Sequence, residues 1–170
     1  MRKYIILLII LFGLGFTTPG HAQTLYVTPD TYKYDDSISY TVTQVKQLKK
    51  LQTGNFYFTP DKGFKAIELY VAITNNSKNI KNLDFEKFYL VDSVNKIRYV
   101  AKYSMGEGLV GTIGRMQPTI NKGETKERKL VFAFPQDIKP ELFMTNGMVY
   151  HLHYTDKPPA PASADSSDGN

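Results

Sequence analysis

The chain has 170 residues, enough for one domain of ordinary size, and 42% of them are hydrophobic. It contains no cysteine, which excludes disulfides, thiolate metal sites and the acylated cysteine of a lipoprotein. Its formal net charge is only +5, a mild basicity that gives no reason to expect nucleic acid.

The first element is a targeting segment. Arg2 and Lys3 form a positive start, Tyr4 to Phe16 is a nearly unbroken apolar run, and Gly20-His21-Ala22 offers small residues where a signal peptidase reads. The apolar run is short for a membrane span, which needs about 20 apolar residues. Residues 1–22 are therefore expected to be a signal peptide cut before Gln23. The mature protein is then exported to the periplasm or cell exterior, with no stable membrane anchor. Its removal takes away two positive charges and leaves +3.

From Gln23 to Tyr154 the hydrophobic pattern has period two, the signature of strands with alternating faces. Leu25 to Thr28 is a short β-rich piece, and Ile38, Tyr40 and Val42 alternate after it. Ile67, Leu69, Val71 and Ile73 form the most regular set, with Glu68, Tyr70, Ala72 and Thr74 on the other, partly wet face. Ile80 to Phe88 has room for one helical turn. Phe85 to Val91 and Lys96 to Lys102 are further β-rich pieces. Leu130, Phe132 and Phe134 alternate, as do Met148, Tyr150, Leu152 and Tyr154. Turn chemistry separates them at Asp61-Lys62-Gly63, Asn75 to Asn79, Asp92 to Asn95, Asn121-Lys122-Gly123 and Asn146-Gly147. This predicts an all-β domain over residues 23–156: an immunoglobulin-like antiparallel β-sandwich of about seven or eight strands, with a small barrel as the alternative. Residues 157–170, rich in Pro, Ala, Ser and Asp, cannot bury a core and are expected to form a disordered tail.

Three groups of residues together form a recurring signature. The first is Gly63-Phe64 with Ile67 to Ile73 and the turn Thr74 to Ser77. The second is Phe88 to Asp92 followed by Tyr99. The third is Lys122 to Thr125 followed by Leu130 to Pro135. Over roughly Ser37 to Tyr154 the chain resembles a family of small exported bacterial immunoglobulin-like domains of unknown function. That family includes many lipoproteins and shares its sandwich with a secreted immunoprotective antigen. The resemblance implies the fold. It implies no functional residue, since the family has no agreed activity. The chain departs from the family in lacking the lipid-anchor cysteine and in having Ser93-Val94-Asn95 where a tighter glycine turn is usual.

Motifs that could carry chemistry are few. Gly106 to Gly111 matches G-x-G-x-x-G, but no helix pattern follows it, so no nucleotide is expected. His151 and His153, two apart on a strand, share one face. With Met144 and Met148 they are the candidates for an alternative function as a copper carrier, since Met and His suit Cu(I). The histidines fall on the face opposite Met148, Tyr150 and Leu152, so a plain surface role competes and no metal or other cofactor is expected. Asp35-Asp36 and Glu124 with Glu127 read as turn carboxylates, not an acid–base pair. Asp36-Ser37-Ile38 and Asp92-Ser93-Val94 resemble an O-glycosylation acceptor of one Gram-negative phylum, and Asn75-Asn76-Ser77 is a formal N-glycosylation sequon in a turn.

Phe56-Tyr57-Phe58 is the candidate partner-binding element. It either caps the open end of a sandwich or anchors a partner. In extended backbone, Phe56 and Phe58 point inward and Tyr57 outward. The expected function is an exported, non-enzymatic binding or accessory protein acting on another envelope protein or a glycan. A small envelope enzyme is the second alternative.

Overall fold

The computed structural model describes residues 22–106 and 113–158. Apart from Ala22, the expected signal peptide lies outside the described residues. So do the G-x-G-x-x-G loop beyond Gly106 and the tail beyond Pro158.

Among the described residues, alternating apolar residues with turn chemistry between them give sixteen strand segments. In chain order these are β1 (Gln23–Val27), β2 (Thr31–Lys33), β3 (Ile38–Leu48), β4 (Leu51–Thr53), β5 (Phe56–Phe58), β6 (Phe64–Asn75), β7 (Lys81–Asn82), β8 (Phe88–Val91), β9 (Arg98–Val100), β10 (Tyr103–Gly106), β11 (Ile113–Gly114), β12 (Thr119–Ile120), β13 (Thr125–Pro135), β14 (Leu142–Thr145), β15 (Met148–His151) and β16 (Tyr154–Thr155). Eight of them are four residues or longer, which matches the expected number of main strands. The rest are short bridging pieces. One 3-10 turn, Phe85–Lys87, falls inside the stretch expected to hold a helical turn, and Asp84 caps it by accepting from the Glu86 N–H.

The larger sheet runs β11-β10-β13-β6-β3-β1-β16, with β2 also on β3; the smaller runs β15-β14-β8-β9. Every pairing is antiparallel. β6 is central because its inward set, Ile67, Leu69, Val71 and Ile73, is wholly apolar and buried. A bulge between Val42 and Gln44 inserts Thr43 into β3 and shifts its phase, so Val42 and Val45 both face inward. It also divides the free edge of β3: β2 pairs with the part before it, β1 with the part after it. Between the sheets lies an aromatic-rich core in which Tyr40 touches the rings of Tyr32, Phe88, Phe143 and Tyr150.

The Asn-Gly turn joining β14 to β15 places both residues at positive φ, 46° and 84°, the type I′ geometry that suits a two-residue hairpin. Asn75 is fully buried at the end of β6. Its amide N–H groups donate to the carbonyls of Asn79, Ile120 and Asn121, and its oxygen accepts from the Ser77 N–H and hydroxyl. The sequon asparagine is therefore a structural tie with no free amide.

Candidate functional site

Phe56-Tyr57-Phe58 is itself a strand. β5 pairs with β4 in a hairpin, Leu51 opposite Phe58 and Gln52 opposite Tyr57. The burial alternates as strand geometry requires: Phe56 and Phe58 are half-buried and Tyr57 is 60% exposed. The hairpin does not cap an open end of the sandwich. It folds over the outer face of the large sheet, the face opposite the main core. There Leu51, Ala66, Met105 and Val131 form a second small core, with Phe56, Phe58 and Tyr103 packed against it. Both phenylalanine rings meet the Tyr103 ring edge-on, at centroid distances of 4.9 and 5.5 Å. The physical reason is visible on the central strands. Ala66 and Val131 are outward-facing yet apolar, and they need a cover.

The hairpin covers only part of this outer face. Beside it, β4 and the sheet bound an open cleft of about 490 Å³, whose floor carries Lys46, Glu68, Tyr70 and Lys129 and whose rim carries Lys50. Lys46 and Lys129 stand over the Tyr70 ring, 4.9 and 5.2 Å from its centre. Hydrogen bonding to Tyr70 raises the Lys46 pKa above its ordinary value, against the lowering effect of desolvation. Glu68 is only 6% exposed. Among the described residues the Tyr70 hydroxyl donates to it at 3.5 Å, and Lys46 stands opposite it across the β3–β6 pairing. Another cleft, of about 390 Å³, lies at one end of the sandwich, lined in part by Gln47, Lys49, Lys62 and Gln136. There Lys65 already donates to the Gln136 carbonyl at 2.9 Å.

The metal candidates occupy a different region. His151 and His153 are exposed, with rings nearly parallel and centroids 6.4 Å apart. His153 Nδ1 lies 3.0 Å from an Asp30 carboxylate oxygen. Met148 accepts a hydrogen bond from the Tyr150 hydroxyl at 3.2 Å, and Met144 is buried on β14. Among the described residues no three His, Cys, Asp or Glu side chains are grouped so as to hold a metal ion.

The turn carboxylates serve turns. Asp35 accepts from the N–H groups of Ser37 and Ile38, both at 2.7 Å. Glu124 accepts from the Asn121 N–H at 2.7 Å and pairs with Lys126 at 3.1 Å. Asp92 accepts from the N–H groups of Val94 and Asn95 and from the Asn95 side chain. These bonds, the Asn95 N–H foremost, hold its carboxyl below the usual carboxylate range, although burial pushes the other way. Sequence reasoning placed the aromatic triplet but missed the cleft. The available signal was the row Lys46, Glu68, Tyr70 and Lys129 at outward positions flanking the hairpin.

A family model described as a domain of unknown function (DUF4352) matches residues 30–155. No curated protein matches the chain. The solved structures similar in fold include these two. An uncharacterized β-sandwich protein from Clostridium difficile 630 is 14% identical with a TM-score of 0.52, over 76% of this chain and 92% of its own. A conserved hypothetical protein from Bacillus anthracis is 15% identical with a TM-score of 0.52, over 79% of this chain and 97% of its own. Among the described residues no helix is long and apolar enough to cross a membrane.

Proposed function

The chain belongs to the DUF4352 family of domains of unknown function, and from that premise we propose that it is an exported, non-enzymatic binding or accessory protein of the bacterial envelope. The N-terminal segment of residues 1–22 supports the export half of this reading. The observation that carries the binding half is the β4–β5 hairpin. Phe56 and Phe58 fix it to the sheet through Tyr103, so Tyr57 is presented outward on a pre-ordered strand. An exposed aromatic held in one orientation loses little conformational entropy on binding, which is what an interface anchor requires. The open cleft on the same face extends the surface available to a partner.

Capture from native envelope extract tests the reading. Immobilised protein starting at Gln23 retains a partner, and Tyr57→Ala weakens retention by at least fivefold, the equivalent of about 1 kcal/mol for an anchor residue. Equal retention by both proteins removes the hairpin from the binding surface. Intact mass of the exported protein tests the compartment: a chain that keeps residues 1–22 contradicts it.

A further inference from the structure

We propose that the cleft between β4 and the outer face of the large sheet is a binding site for a carboxylated saccharide, with Glu68 accepting its hydroxyl groups and Lys46 and Lys129 holding its carboxylates. This rests on the reading of the outer face as the binding surface and names the ligand class. The first support is Glu68. A carboxylate has about four acceptor positions, and this one, 6% exposed at the floor of the cleft, uses one of them on a long bond to Tyr70. Among the described residues it forms no ion pair, although Lys46 stands opposite it across the β3–β6 pairing and feels its charge. A buried carboxylate with open acceptor positions is costly unless donors reach it. Sugar hydroxyls are donors that an open cleft can admit.

The second support is the placement of the lysines. Lys46 sits on β3 and Lys129 on β13, which flank β6 on either side, and Tyr70 on β6 stands between them. Both ammonium groups converge on that one ring, 4.9 and 5.2 Å from its centre, so the cleft floor presents a pair of positive charges to an anionic chain. Lys50 adds a third positive charge at the rim. The cleft volume, about 490 Å³, is that of a site for a ligand of a few rings. An acidic peptide shares the charge but offers Glu68 fewer donors.

Titration calorimetry of the protein starting at Gln23 uses three probes: tetragalacturonate, neutral maltotetraose and a tetraglutamate peptide. The expected result is binding of tetragalacturonate alone, weakened at least tenfold by Lys129→Gln and at least tenfold by Glu68→Gln. The lysine variant alters a half-buried side chain outside the main core, so it keeps the test valid should Glu68→Gln fail to fold. Equal binding of both anions with no effect of Glu68→Gln means unspecific charge attraction and overturns the proposal. Preference for tetraglutamate also overturns it. If no probe binds while Tyr57-dependent capture persists, the saccharide assignment falls and the outer-face reading stands. If capture also fails to depend on Tyr57, both fall.

Discussion

Asn75 ties the end of β6 to Asn79 in the turn that follows it and to Ile120 and Asn121, more than forty residues further along the chain, through hydrogen bonds of 2.7 to 3.1 Å. Asn75→Ala leaves three carbonyls without that donor and is expected to cost about 2–4 kcal/mol in urea unfolding, since each stranded buried group costs about 1–3 kcal/mol. An unchanged midpoint would mean that the loops are satisfied without it. Asp92 gives a pH signature. Its folded pKa lies below its unfolded value, so its contribution is complete above about pH 4 and is lost as the pH falls through the folded pKa. Asp92→Asn is therefore expected to be less stable than wild type at pH 7 and to lose less of its stability between about pH 5 and pH 2. Parallel acid limbs in thermal melts would contradict this. Both residues were legible in the sequence as turn formers. The distant partners of Asn75 were not, because turn chemistry is local and the Ile120 and Asn121 carbonyls lie more than forty residues away.

At the scale of elements, the hairpin shows what periodicity can and cannot deliver. Alternation gave the orientation of Phe56, Tyr57 and Phe58 correctly, because it depends on the strand alone. It could not say where the hairpin would land, because that depends on which other surface lacks a cover. Apolar outward residues at Ala66 and Val131 supplied the answer only once β6 and β13 were seen side by side. Phe58→Ala is expected to cost about 1–3 kcal/mol, less than a fully buried aromatic because Phe58 is half-buried. Tyr57→Ala should stay within about 0.5 kcal/mol of wild type. Thermal melts in which Tyr57→Ala is the more damaging of the two would show that the hairpin's faces are reversed. The bulge at Thr43 was not legible either. The alternation of Ile38, Tyr40 and Val42 stops at the bulge, and only the pairing with β6, which runs from Ile38 to Leu48 across it, shows β3 as one strand. Val71→Asp places a charge amid the most regular buried face and is expected to abolish cooperative folding. A soluble, cooperatively melting variant would contradict the assigned core.

For the whole molecule, the sandwich was the most legible feature, because inward apolar residues recur at every second position of β6 and β13 and turn residues separate the strands. The candidate site was half legible. Its aromatic anchor stood out as a triplet, whereas the cleft is assembled from β3, β4, β6 and β13 and has no contiguous motif. The proposed working surface is the outer face of the large sheet, hairpin and cleft together. Hydrogen-exchange mass spectrometry tests it most directly, comparing the protein starting at Gln23 alone and saturated with the partner captured from envelope extract. The account predicts slowed exchange along residues 44–58 and in the segments carrying Tyr70 and Lys129, with β15 unchanged. Protection confined to β15 and the His151–His153 side of the small sheet would contradict it.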